Sequence, residues 1–256
     1  MQLSGNTILI TGGSSGIGRA LAGAFHARGN QVIITGRRQA LLDEVAALSP
    51  GMRVLVLDIG NAGDIQAAAQ QLLTDFPALN VVIHNAGIQR FESVKEGRLD
   101  DAETTIATNL LGPIRLNAAL LPHLLSQPRA TVMTVSSGLA FVPLAATPTY
   151  VATKAAIHAY TQALRVQLRD TAVQVTELVP PYVQTELKGA GEPEDPAAMP
   201  LTDFITEVMH LLEIEPGAPE ILVERVKMLR FAEVNGNYQA IFNGMNGIKT
   251  LLAELS

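Results

Sequence analysis

The sequence predicts a doubly wound α/β fold, a parallel sheet covered by helices on both faces. Short apolar runs rich in Ile and Val alternate with longer helical patterns, the signature of strand–helix–strand units. Stop signals close the first two helical stretches, Gly29-Asn30 and Ser49-Pro50-Gly51. A chain of 256 residues with 48% apolar and 16% charged residues buries a sizeable core and excludes a disordered chain.

The elements follow in order. Strands are expected at Thr7–Thr11, Gln31–Thr35, Arg53–Leu57, Asn80–His84, Ala130–Ser136 and Val173–Val179. Helices are expected between them at Gly16–Arg28, Gln39–Leu48, Ala62–Asp75, Leu99–Leu125 and Tyr150–Asp170, joined by right-handed crossovers. The rhythm changes after Val179. Pro180-Pro181 ends the sixth strand, Gly189–Pro200 reads as a mobile loop, and Thr202 is placed to cap a helix running to Glu213. Glu220-Ile221-Leu222-Val223 reads either as a short seventh strand or as the first turn of the following helix. Residues 1–256 thus read as one domain, with a loop and helix inserted at about 182–213 and a tail at about 220–256.

Composition narrows the function classes. The net charge of −6 leaves no basic footprint for nucleic acid. The absence of cysteine excludes disulfides and thiolate metal sites, and the five histidines are scattered without metal-ligand spacing. No apolar run reaches the ~18 residues of a membrane span. Met1–Gly5 has neither a charged n-region nor a long apolar segment, so a cytoplasmic location without a signal peptide is expected.

Four places carry chemistry. Thr11-Gly12-Gly13-Ser14-Ser15-Gly16-Ile17-Gly18 links an apolar strand to a helix. Such a turn lets backbone approach a pyrophosphate at the positive end of the helix, although glycine-rich turns also serve packing. Tyr150 and Lys154 stand four residues apart on one helical face, where a fixed positive charge favours the phenolate and fits Tyr150 for acid–base work. In isolation the same spacing describes an ordinary surface pair. Ser137 lies at the carboxyl end of the fifth strand, where a hydroxyl can meet a substrate oxygen. Asn109 sits mid-helix, and Pro113 leaves its carbonyl without an i+4 donor, which implies a kink and room for a water.

Thr11-Gly12-x-x-x-Gly16-x-Gly18, Asn85-Ala86-Gly87, Asn109, Ser137 and Tyr150-x-x-x-Lys154 in this order closely resemble the short-chain dehydrogenase/reductase family. The resemblance spans residues 5 to 187 and implies a Rossmann-type, NAD(P)-binding domain. It implies that Tyr150 exchanges the proton, that Lys154 holds the nicotinamide ribose and tunes Tyr150, that Ser137 orients the substrate oxygen, and that Asn109 holds a relay water. Gly12, Ser14, Ser15, Gly16, Ile17 and Gly18 would form the phosphate loop. Asp58 and Ile59 resemble the adenine-contacting pair, and Asn85, Ala86 and Gly87 the segment passing the cofactor. His84, in place of a first asparagine, reads as a packing residue. Pro180, Val183 and Thr185 match the nicotinamide segment, with Pro181 standing where relatives carry glycine.

Arg37, at the end of the second strand with no acid beside it, favours NADP over NAD, because an arginine there meets a 2′-phosphate that an acid would repel. The substrate walls are expected at Leu139, Phe141, Val142, Tyr182 and Leu187, an apolar lining that is in part ordinary core. The segment from Pro219 to Arg230 and the run Ser136–Pro148 resemble a bacterial subgroup labelled DltE-type short-chain oxidoreductases. The expectation is an NADP-preferring oxidoreductase acting on a ketone or secondary alcohol; the alternative is a non-catalytic NADP-binding regulator on the same fold. Leu110, Leu111, Ile114 and Leu116 cannot all face one sheet, so a homodimer or homotetramer through the fourth and fifth helices is expected.

Overall fold

Alternating side chains divide the central strands between two cores. In β1 (Thr7–Thr11), Ile8 and Ile10 face one side of the sheet and Leu9 the other. In β2 (Gln31–Gly36) the same division separates Val32 and Ile34 from Ile33. It recurs in β4 (Leu79–His84) and β5 (Ala130–Val135), where Val81, Ile83 and Met133 oppose Val82 and Val132. Helices α1 (Gly16–His26), α2 (Gln39–Ala47) and α7 (Leu201–Ile214) cover the first core with Phe25, Leu42 and Phe204. Helices α3 (Ala62–Asp75), α5 (Gly112–Ser126) and α6 (Pro148–Gln167) cover the second with Leu72, Leu120 and Leu164. Each such large side chain, once fully buried, contributes about 1.5–3 kcal/mol.

The computed structural model describes residues 1–185, 187 and 195–248. With β3 (Arg53–Val56), β6 (Val173–Val179) and β7 (Glu220–Leu222), the strands form one parallel sheet in the order β3-β2-β1-β4-β5-β6-β7. The chain first winds outward from β1 to β3 and then crosses back to β4 on the other side of β1. The crevice at the carboxyl ends of β1 and β4 is therefore the topological switch point, where ligands bind in such sheets.

Several boundaries differ from the sequence reading. The helix expected over Leu99–Leu125 is three pieces: α4 (Asp100–Ile106), a π-helical turn at Ala107–Leu111, and α5. Pro113 has no N–H to give the Asn109 carbonyl, and the wider turn accommodates that missing donor. Helix α6 begins at Pro148, two residues before Tyr150, with proline in the first turn, where its lost N–H is harmless. Thr202 is not the cap of α7. Pro200 occupies that position, and the Thr202 hydroxyl lies 3.4 Å from the Asp203 carboxylate. Glu220–Leu222 is a strand, and the helix α8 (Glu224–Arg230) starts after Val223. Part of the expected loop, residues 189–194, and the last residues of the tail, 249–256, lie outside the described residues. The part from Asp195 to Pro200 returns to the sheet end, where Met199 bridges Val183.

Leu116 belongs to the core, whereas Leu111 is exposed on the π-helical turn. Among the described residues no helix is long and apolar enough to cross a membrane.

Candidate active site

The glycine loop bends tightly because its neighbours leave no space for side chains. Gly12 has φ +68°, and a Cβ there would lie 2.8 Å from the Ala86 Cα. A Cβ on Gly18 would lie 2.3 Å from Asn85 Nδ2 and 2.4 Å from the Gly12 carbonyl oxygen. Asn85 locks the turn by donating from Nδ2 to the carbonyls of Thr11 (3.0 Å) and Gly12 (3.2 Å). The Thr11 hydroxyl in turn accepts from the backbone N–H groups of Asn85 and Ala86, both at 3.1 Å. At the start of α1, Ser15 makes no side-chain cap and the first turn carries no acid. The amides of Gly16–Gly18 thus form an anion-receptive helix start beside a cradle that any Cβ would fill, and the residues present fit a dinucleotide pyrophosphate.

Around that loop lie the other residues read as cofactor contacts. Gly36 abuts Ser14, with the space for a Cβ ending 3.2 Å from the Ser14 hydroxyl, so the exposed Arg37 follows directly beside the loop. Its side chain makes no hydrogen bond or ion pair among the described residues. Asp58 accepts from the Gly60 N–H at 2.9 Å, and Ile59 is buried. Thr185 reaches over the loop, its Cβ 3.4 Å from where a Gly16 Cβ would be. The Pro180 carbonyl accepts from the Gly138 N–H at 2.8 Å, and Val183 is buried through its bridge to Met199.

The four residues read as catalytic converge beside this crevice. Tyr150 and Lys154 project from one face of α6, with the Lys154 Nζ 5.6 Å from the Tyr150 ring centre. Lys154 donates to the Val135 carbonyl at 2.7 Å. Both are buried. A Cβ on Gly87 would stand 3.4 Å from Asn109 Oδ1 and 3.7 Å from the Lys154 Nζ, which places all three together. The Asn109 side chain is held by both backbone groups of Ile88, at 2.9 Å each, and by Thr153 at 3.2 Å. Ser137 begins a 3-10 turn, its hydroxyl accepting from the Leu139 N–H at 3.1 Å, and it stands near enough to Tyr150 to act on the phenol. Ser136, by contrast, has a buried hydroxyl without a hydrogen-bond partner among the described residues.

Electrostatics here departs from expectation. Burial pushes the Tyr150 phenol up to about 12, against the opposing effect of Ser137. Burial also pulls Lys154 down to about 8, opposed by the charge of Glu177. The environment therefore disfavours charge on both groups.

The residues read as substrate walls separate. Leu139 and Phe141 are half-buried, Tyr182 and Leu187 exposed, and Val142 has no exposed surface, so Val142 offers no open wall. His84 is buried at the end of β4 with Nε2 2.7 Å from Asn117 Oδ1, and burial pushes it down to about 4 against that hydrogen bond, as suits a neutral packing residue. Sequence reasoning placed Thr11 in the loop motif without the latching role of its hydroxyl, and missed Thr153, which steadies Asn109. It also missed His158 and Glu177. His158 had a signal in its four-residue spacing after Lys154.

Comparison with known proteins agrees with this geometry. The sequence profile described as short chain dehydrogenase matches residues 6–195. The oxidoreductase DltE of Bacillus subtilis, itself uncharacterized, is 40% identical over 96% of this chain and 98% of its own length. A short-chain dehydrogenase of Burkholderia cenocepacia in complex with NADP superimposes with a TM-score of 0.79 at 25% identity, covering 96% of this chain and 99% of that one. The fold is also that of a short-chain dehydrogenase/reductase from Burkholderia phymatum in complex with NAD, with a TM-score of 0.81 at 20% identity over 98% and 99% of the two chains.

Proposed function

The chain belongs to the short-chain dehydrogenase/reductase family, and on that premise we propose that this enzyme is an NADP-preferring oxidoreductase interconverting a ketone and a secondary alcohol with Tyr150 as general acid and base. The observation that carries the reading is the convergence of Tyr150, Lys154, Ser137 and Asn109 next to the glycine crevice. The bound complexes with NAD and NADP among similar structures support a nicotinamide cofactor, and Arg37 supports the phosphorylated form. We read the whole chain as one such domain, acting in the cytoplasm as a homodimer or homotetramer.

When bound, the nicotinamide supplies or takes up the hydride. The chain's own residues manage the oxygen. Ser137 and Tyr150 hydrogen-bond the carbonyl oxygen, and the Tyr150 hydroxyl gives up its proton as negative charge gathers there. The Lys154 ammonium, steadied by the Val135 carbonyl, stabilises the phenolate left behind. The Asn109 turn lies against Lys154 and is placed to lead a replacement proton inward. In oxidation the same residues act in reverse. Leu139 and Phe141 favour an apolar or weakly polar substrate.

The test is Tyr150→Phe. Turnover over a panel of carbonyls and alcohols, followed through NADPH absorbance, is expected to fall by about 10²–10⁴-fold, while NADPH binding persists. Full turnover in this variant refutes the role of Tyr150, and a wild type that binds NADPH tightly but turns over no substrate points to a regulator.

A further inference from the structure

Tyr150, Lys154 and His158 follow one another at four-residue spacing on α6 and share one face. The proposed reaction uses only the first two. One turn beyond Lys154, His158 Nδ1 lies 2.8 and 3.1 Å from the two carboxylate oxygens of Glu177. Glu177 is on β6 and has no exposed surface. Strand register sets it beside Thr134 of β5, one residue before the Val135 carbonyl that holds Lys154. A carboxyl group buried this completely is costly unless a partner holds it.

The surrounding charges are accounted for. On β7, Glu220 receives both donors of Arg230 from α8, at 2.7 and 3.0 Å. Arg165 of α6 is engaged by the carbonyls of Val175 and Pro219. The nearest side-chain nitrogen or oxygen atoms of His158, Glu177 and Glu220 lie within 4.8 Å of one another, and the guanidinium groups of Arg230 and Arg165 supply positive charge beside that cluster. The Phe141 ring packs edge-on to His158 at 4.7 Å, and Arg230 lies over its face at 4.6 Å, so the segment that carries Ser137 covers one side of the pair, with Glu177 fully buried and His158 partly exposed. In this low-dielectric enclosure a charge acts over longer distances than in water. Glu177 acts on Lys154 in the direction that retains the lysine proton, against the burial that removes it.

We propose that Glu177, fixed by His158, is a positioning residue of the reaction: it keeps Lys154 an ammonium and thereby sets the upper pH limit of turnover. This inference rests on the role given above to Lys154 beside Tyr150. A neutral amide at 177 leaves the burial of Lys154 unopposed, and the lysine then loses its proton at lower pH.

The test reads Lys154 directly. In protein carrying ¹³C-labelled lysine, the side-chain signal assigned through Lys154→Arg is titrated in the wild type, in Glu177→Gln and in Glu177→Gln/His158→Gln. The double variant retains an amide–amide hydrogen bond, so it gives the reading if the single variant fails to fold. The Lys154 midpoint is expected to fall by about one pH unit in either variant, and the alkaline edge of turnover to move with it. An unmoved midpoint in a folded variant overturns the proposal, as does a moved midpoint with an unmoved turnover edge. Failure of the underlying reading shows separately, as a Tyr150→Phe enzyme that keeps full turnover.

Discussion

Thr11→Val removes one hydroxyl and adds one methyl at a position with almost no exposed surface. The hydroxyl accepts from two backbone amides, Asn85 and Ala86, each at 3.1 Å, and its own donation to the Ile83 carbonyl is long at 3.4 Å. Valine matches the shape but leaves both amides without an acceptor. At about 1–2 kcal/mol for each stranded amide, the loss is about 2–4 kcal/mol. For a chain of this size, at about 2–4 °C per kcal/mol, Tm falls by about 4–16 °C. Thr11→Ser keeps the acceptor and loses one methyl, a change of about 1 kcal/mol. Since Asn85 also holds the Thr11 and Gly12 carbonyls, the valine variant is further expected to bind NADPH more weakly than the serine variant. Urea unfolding followed by far-UV circular dichroism measures the difference. A Thr11→Val protein within about 0.5 kcal/mol of wild type, the range of a neutral surface change, refutes the latch.

Two further outcomes follow from the site. Arg37→Glu is expected to weaken NADPH binding by tenfold or more, about 1.4 kcal/mol, while sparing NADH, as read by the fluorescence of the reduced cofactors; equal affinity of the wild type for both overturns the role of Arg37. Lys154 and Tyr150 also give stability a pH dependence of opposite signs. Between about 8 and its unfolded value of 10.5, Lys154 is protonated only in the unfolded chain, so stability relative to Lys154→Met rises with pH there. Between 10.0 and about 12, Tyr150 keeps its proton only in the folded chain, so stability relative to Tyr150→Phe falls as pH rises. Denaturant midpoints from pH 7 to 12 check both slopes, and flat differences contradict the burial of the pair.

The strands were legible because alternation is a local property: Ile8, Leu9 and Ile10 announce two covered faces before any partner is known. The break in the helix at Asn109 was legible for a similar reason, since Pro113 removes one definite donor. Contacts between distant segments were not legible. Thr11 looks like any strand-end threonine until β4 brings Asn85 beside it, and Glu177 looks like a misplaced acid in an apolar strand until His158 meets it. Val142 failed as a wall because proximity in sequence to Ser137 does not say which way a side chain turns. The tail resisted for the same reason: Val226 and Leu229 of α8 pack on Gly138, where a Cβ would meet them at 3.0 and 2.7 Å, a contact formed across nearly ninety residues.

Those distant contacts bear on how the proposed chemistry runs. If Lys154 simply pulled the proton from Tyr150, the site would hold a phenolate and an ammonium before any substrate arrived. Burial opposes that state from both sides, raising the phenol and lowering the amine. The proton therefore stays on the Tyr150 oxygen until a stronger base appears, and in the proposed reduction that base is the substrate oxygen as it gains negative charge. In that proposed step Lys154 acts by meeting the charge left on Tyr150, and can do so only while it is itself charged. On this proposal the charge of Glu177, across the sheet face from His158, is a condition on the step assigned to Tyr150. A site tuned this way favours Tyr150 as proton donor near neutrality, and its conversion to proton acceptor, for alcohol oxidation, is expected to need a higher pH.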